Sequence, residues 1–80
     1  MVGLIEMPEG AQYFVQGSGR VDVRLLPGQV VDIGDREVTG AMVFRKVDRW
    51  WSVFVVGDSG AWESFRVEEQ DVPDVVKDML

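Results

Sequence analysis

Short hydrophobic stretches separated by turn signals make up most of the chain. Glycine and proline cluster at residues 8–10, 17–19, 27–28, 34–35 and 57–60, and such clusters mark turns. The stretches between them are rich in Val, Phe, Trp, Tyr and Ile, which favour strands. They cover residues 12–16, 20–26, 30–33, 38–47, 50–56 and 62–67. The pattern predicts an all-β (mainly β) domain of five to six short antiparallel strands, closed as a small barrel or stacked as a two-sheet sandwich.

Two of the predicted strands differ in the pattern of their faces. In the stretch that begins at Arg20, apolar Val21, Val23 and Leu25 alternate with charged residues, which predicts a half-exposed strand. The stretch 50–56 is apolar on both faces, since a period of two places Trp51 on one side and Trp50 on the other. Other parts of the chain, or a partner, must therefore pack against both faces of this strand to shield them from water.

A tight turn at residues 57–60 would pair the stretch 50–56 with the stretch 62–67. In that register Val56 lies opposite Ala61 and Val55 lies opposite Trp62. One face of the hairpin then carries Trp51, Val53, Val55, Trp62, Ser64 and Arg66. The other face carries Trp50, Phe54, Val56, Ala61, Phe65 and Val67. Which of the two faces is buried stays open.

The last segment changes from strand to helix periodicity. The spacing of Val72, Val75, Val76, Met79 and Leu80 forms one helix stripe and predicts a C-terminal helix at about 72–80. Asp71 precedes it as a candidate N-cap. A helix this short is unstable alone in water, so we expect it to dock on one face of the hairpin.

Length and composition exclude several classes of protein. The 80 residues form a single domain, 1–80, and contain neither cysteine nor histidine. This removes disulfides, thiolate nucleophiles, imidazole bases and the usual zinc or haem ligands. We expect no enzyme activity, no catalytic residue, no cofactor and no metal site. The N-terminal residues have the pattern of neither a signal peptide nor a membrane span, and we expect a cytoplasmic location.

The charge is unevenly distributed and suggests a partner. The formal net charge is −6, and residues 57–80 carry seven acids against two bases. Such a region would steer a basic protein surface towards it and repel nucleic acid. We therefore predict a non-catalytic protein–protein interaction module, for example a small acidic inhibitor or accessory protein of the phage or immunity type. The predicted partner-binding residues are Trp62, Trp51, Arg66, Glu63, Asp58, Glu68 and Glu69.

Trp62 is the first candidate for an anchor, because tryptophan and arginine often dominate interface energetics. A contact between Arg66 and the ring of Trp51 would add a cation–π interaction on the same face. Two alternatives stay open. The chain could be a homo-oligomeric structural subunit, or a small barrel that binds single-stranded nucleic acid weakly through Arg45, Lys46 and Arg49 beside the tryptophans.

One stretch resembles a known fold family. Residues 48–51, a glycine-rich turn, then Phe65 and a short acidic tail are similar to the second half of SH3-like barrels, and residues 26–31 resemble their turn-and-strand entry. The chain departs from that family in its opening strand, in lacking a Pro-Ser-Asn-Tyr segment and in the longer separation between Val31 and Trp50. The resemblance implies an SH3-like barrel and carries no peptide-binding role. From the strand pattern as a whole we expect a small barrel that is SH3-like or OB-like in general shape, with a two-sheet sandwich as the alternative.

Overall fold

Seven strands, one 3-10 turn and one short helix make up the computed structural model, which describes residues 7–57 and 59–80. The strands are β1 (Gln12–Gly17), β2 (Arg20–Arg24), β3 (Val31–Ile33), β4 (Arg36–Val38), β5 (Ala41–Val47), β6 (Trp50–Val56) and β7 (Trp62–Glu68). A 3-10 turn at Glu69–Asp71 precedes the helix α1 (Asp74–Asp78). The prediction of a mainly β chain is confirmed.

The strands form two antiparallel sheets. Five strands make the larger sheet in the order β1-β2-β5-β6-β7, and β3 pairs with β4 in a separate hairpin. Among the described residues β1 and β7 do not pair with each other. Within residues 7–57 and 59–80 the sheet therefore does not close, and the predicted SH3-like or OB-like barrel is not confirmed.

One face of the five-stranded sheet, here called the inner face, supplies most of the core. Side chains alternate along a strand, so Val21 and Val23 point the same way, and their exposed fractions of 0% and 2% confirm the alternation predicted for β2. The buried inner-face residues are Val21, Val23, Met42, Phe44, Trp51, Val53, Val55 and Val67. They form one cluster with residues of the β3–β4 hairpin and of the C-terminal segment.

The β3–β4 hairpin contacts the inner face near β7. Val31, Ile33 and Val38 supply its core side chains. The guanidinium of Arg36 lies 4.6 Å from the ring centroid of Phe65 on β7, and its Nη1 is 3.3 Å from a carboxylate oxygen of Glu63. The hairpin thus covers one end of the inner face and holds it with apolar and charged contacts.

The predicted register of the β6–β7 hairpin is wrong by one residue. Val56 pairs with Trp62, and Val55 pairs with Glu63. The loop holds five residues, because the backbone N–H of Gly57 donates to the carbonyl of Ala61 at 2.8 Å and Ala61 thus stays outside the strand. A slip of one residue exchanges the two faces of a strand. Trp62 therefore lies on the face opposite Trp51, while Phe65 joins Trp51 on the inner face.

The C-terminal segment docks as predicted, but its helix is shorter. Val72 and Val76 are 2% and 0% exposed and belong to the core cluster. The helix covers only Asp74–Asp78, and its N-cap residue is Pro73 instead of Asp71, which lies in the preceding 3-10 turn. Within residues 7–57 and 59–80, every helix is too short to cross a membrane.

Candidate binding face

The second face of the five-stranded sheet, here called the outer face, carries large apolar side chains in contact with solvent. The hairpin and helix pack with inner-face residues, so the side chains that alternate with those residues point away from the core. Phe14, Val56 and Trp62 are 46%, 43% and 56% exposed, and Trp50 and Phe54 are partly exposed. An apolar surface of this kind is a common feature of binding sites.

Arginines cross the same face in a row perpendicular to the strands. Arg20 on β2 lies directly opposite Arg45 on β5, which in turn lies opposite Ser52 on β6. Ser52 lies opposite Arg66 on β7. Arg24 is a fourth arginine on this face, two strand repeats from Arg20, with Asp22 between them. Like charges directly opposite each other destabilise a sheet, so the Arg20–Arg45 pair needs compensation.

Asp22 compensates only one member of that pair. Its two carboxylate oxygens accept hydrogen bonds from Nε and Nη2 of Arg20 at 2.8 and 3.2 Å, and the amide of Gln16 donates a longer bond of 3.5 Å. The hydrogen bond and the negative charge of Asp22 raise the pKa of the Arg20 guanidinium. Among residues 7–57 and 59–80, no carboxylate oxygen lies within 4.0 Å of a side-chain nitrogen of Arg24 or Arg45.

Arg66 makes the predicted type of contact with a different tryptophan. Its guanidinium carbon lies 4.8 Å from the ring centroid of Trp50, and Nη2 is 3.7 Å from a carboxylate oxygen of Glu68. The predicted partner of Arg66, Trp51, is 1% exposed and lies on the inner face. Trp51 is therefore a core residue and not a surface anchor, and its indole Nε1 is buried without a hydrogen-bond partner in the described structure.

A groove of about 730 Å³ joins the exposed aromatic rings to the arginines. Phe54 and Val43 contribute apolar side chains to it, Trp62 stands at the β7 side, and Arg20 and Arg45 supply the positive charge. The β1–β2 turn, residues 16–18, lines the opposite side. The groove therefore offers an apolar surface and two neighbouring cations to the same ligand.

The acidic residues that the sequence predicted as partner-binding do not form one patch. Glu63 contacts Arg36 at 3.3 Å, Glu69 contacts Lys46 at 3.9 Å, and Glu68 contacts Arg66. The first two ion pairs each join two different elements, whereas Arg66 and Glu68 both belong to β7. Asp58 lies outside the described residues. Of the predicted residues that the structure describes, Trp62, Arg66 and Glu68 lie on the outer face and the others do not.

The cations of the nucleic-acid alternative are likewise separated. Arg45 lies on the outer face, Lys46 alternates to the other side of β5 and pairs with Glu69, and Arg49 lies in the turn after β5. Sequence reasoning assigned no binding role to Arg20, Arg24, Phe14 or Phe54. The signal in the sequence for Arg20 and Arg24 was that charged residues alternate with valines along β2. A strand with an ordinary solvent-exposed face shows the same alternation, so this signal did not indicate binding.

The described residues include no group of three or more acidic side chains placed to hold a metal ion. Comparison of the chain with protein-family models, with curated proteins and with solved structures finds no match.

Proposed function

We propose that this chain is a non-catalytic interaction module that binds a partner protein through the outer face, with Trp62 as the central anchor. The observation that carries the proposal is the position of Trp62. It is 56% exposed and borders the groove that Phe54 and Arg45 also line. Exposed tryptophan and arginine around a depression are the residue types that dominate protein interfaces.

Charge argues against a pair of identical outer faces in a symmetric dimer. The outer face carries Arg20, Arg24, Arg45 and Arg66 against Asp22 and Glu68, a net charge of +2. A two-fold interface brings the same patch of both copies together, so it would place two patches of net charge +2 against each other. A different partner avoids this repulsion, and the homo-oligomeric subunit is the weaker alternative. Binding of a basic partner through the acidic C-terminal third stays a prediction.

Affinity capture with matched variants tests the proposal. We would couple the protein, Trp62→Ala and Val30→Ala to resin and expose each to nuclease-treated native lysate. Val30 is the control because it is 50% exposed and lies in the loop before β3, outside the strands of the five-stranded sheet. We expect one protein to be retained by the unmodified chain and by Val30→Ala, and to be lost with Trp62→Ala. Retention that does not depend on Trp62 would contradict a binding role of the outer face.

Sedimentation of the unmodified protein across concentration completes the test. The proposed module sediments as a monomer at low micromolar concentration. A dimer that Trp62→Ala dissociates would instead assign the outer face to self-association and overturn the proposal.

A further inference from the structure

The arginines of the groove specify the chemistry of the partner. We propose that the outer face binds an acidic segment of a protein, in which carboxylates alternate with aromatic or large aliphatic side chains. This proposal rests on the proposed function and adds the sign of the charge that the partner presents. It reverses the basic partner surface that the overall acidity of the chain predicts.

The strongest support is Arg45, a cation in the groove that no described carboxylate pairs with. Arg45 lies directly opposite Arg20, and Asp22 is already bonded to Arg20 in a two-point contact. Neither Asp22 nor any other described carboxylate lies within 4.0 Å of a side-chain nitrogen of Arg45. A carboxylate brought by a ligand would relieve the repulsion between the two guanidinium groups, and arginine can bind it with two parallel hydrogen bonds.

The apolar lining sets the second requirement. Phe54 and Val43 lie beside Arg45 in the groove, and Trp62 stands next to them with more than half of its surface in water. Simple anions would leave this apolar area exposed. A segment that carries both carboxylates and large apolar side chains fills the groove and pairs its cations at the same time.

The charge of the whole molecule favours an acidic protein over nucleic acid. Apart from these six charged outer-face residues, the sequence has four basic and twelve acidic residues, a net charge of −8. An extended polyanion would run beyond the +2 patch into this negative field, and its binding gains most of its affinity from many phosphate contacts. A short acidic protein segment can place its charges on the arginines alone.

Fluorescence anisotropy with labelled peptides tests the proposal directly. The probes are three peptides of equal length in which Phe and Leu alternate with Glu, with Gln or with Lys, together with oligothymidylate that carries the same label. We expect the Glu peptide to bind at least about tenfold more tightly than the Gln peptide, and the Lys peptide and oligothymidylate to bind more weakly still. High salt should reduce the preference for Glu.

A matched pair of charge reversals locates the effect. Arg45→Glu should weaken binding of the Glu peptide by about tenfold or more and should shift the preference towards the Lys peptide. Arg49→Glu changes the net charge by the same amount in the turn outside the groove, and should change affinity less than about twofold. Arg45→Gln serves as a milder variant with an intermediate loss.

Three results would overturn the inference: equal binding of the Glu and Gln peptides, equal effects of the Arg45 and Arg49 reversals, or tighter binding of oligothymidylate than of the Glu peptide. The last result would assign the face to single-stranded nucleic acid. If capture from lysate depends on Trp62 while the protein binds the Glu and Gln peptides equally, the proposed interaction function is retained. In that case the proposal of an acidic partner segment alone is wrong. If neither dependence is found, both proposals fall.

Discussion

Trp51 and Trp62 test which face of the sheet is buried, because one is buried and the other is exposed. Trp51 is 1% exposed on the inner face, and Trp62 is 56% exposed on the outer face. Truncation of a fully buried tryptophan to alanine typically costs about 3–5 kcal/mol of unfolding free energy. A domain of this size has a total stability of about 4–12 kcal/mol, so Trp51→Ala removes a large share of it.

The expected cost for Trp62→Ala is much smaller. Less than half of this residue is buried, which is about 100 Å² of a large aromatic side chain. At about 25 cal/mol/Å² this area gives an upper bound of about 2.5 kcal/mol, and compact unfolded chains lower it further. No enclosed cavity forms at an exposed site. We therefore expect Trp62→Ala to cost about 1–2 kcal/mol.

Trp51→Phe provides an intermediate that remains folded. It keeps an aromatic ring in the core and removes the buried Nε1–H, which has no partner in the described structure. Burial of an unpaired donor costs about 1–3 kcal/mol, and the loss of that penalty offsets part of the lost volume. We expect Trp51→Phe to destabilise the protein less than Trp51→Ala.

Urea unfolding followed by far-ultraviolet circular dichroism measures all three variants, since it does not depend on tryptophan fluorescence. The order of destabilisation should be Trp51→Ala first, with Trp51→Phe and Trp62→Ala both clearly below it. A cost for Trp62→Ala that equals or exceeds the cost for Trp51→Ala would refute the assignment of faces. Such a result would favour the register predicted from the sequence, in which Val55 lies opposite Trp62 and Trp62 belongs to the core.

Two further predictions concern the backbone and the pH dependence. Asp48 begins the β5–β6 turn with a φ of 57°, in the left-handed region. Asp48→Gly should therefore leave the free energy of unfolding unchanged or raise it by up to about 1 kcal/mol, whereas Asp48→Ala should lower it by about 1 kcal/mol. Thermal melts compare the two variants, and equal melting temperatures would contradict this prediction. Burial raises the pKa of Tyr13, the single tyrosine of the chain, above 10.0. The stability linked to the protonated Tyr13 is fully present below the pKa of tyrosine in the unfolded chain and is lost as pH rises through the pKa in the folded protein. A titration of tyrosinate absorbance in folded and in urea-unfolded protein checks the direction of the pKa shift. In thermal melts across the same pH range, Tyr13→Phe is the control.

Strand positions were predictable where the period-two signal is strong. The stretch 50–56 matches β6 at both ends, and the alternation from Arg20 gives the buried face of β2 correctly. The predicted strand 38–47 is instead two strands, because the chain changes sheets between Val38 and Ala41, with Gly40 at a φ of 73°. Hydrophobicity along the chain is continuous there, so it does not reveal a change of pairing partner.

The proposed binding face was less predictable than the fold because it depends on the relation between distant strands. Arg20 and Arg45 are 25 positions apart in the sequence, and only the β2–β5 pairing places them opposite each other. The net charge of −6 led to the prediction of a basic partner. A net charge sums over the whole chain, so it does not show that the arginines lie together on one face. The sequence shows each charged residue, whereas the local field depends on the sheet order.

A single loop residue determines which surface Trp62 belongs to. With a four-residue turn, Trp62 would share a face with the core residue Trp51. In the five-residue loop closed between Gly57 and Ala61, Trp62 instead lies in the groove with Arg45. Glu63 then takes the inner-face side of β7, where Arg36 of the β3–β4 hairpin pairs with it. The loop length therefore couples two features, since the register that exposes Trp62, the proposed anchor, also places Glu63 within reach of Arg36 on the covering hairpin.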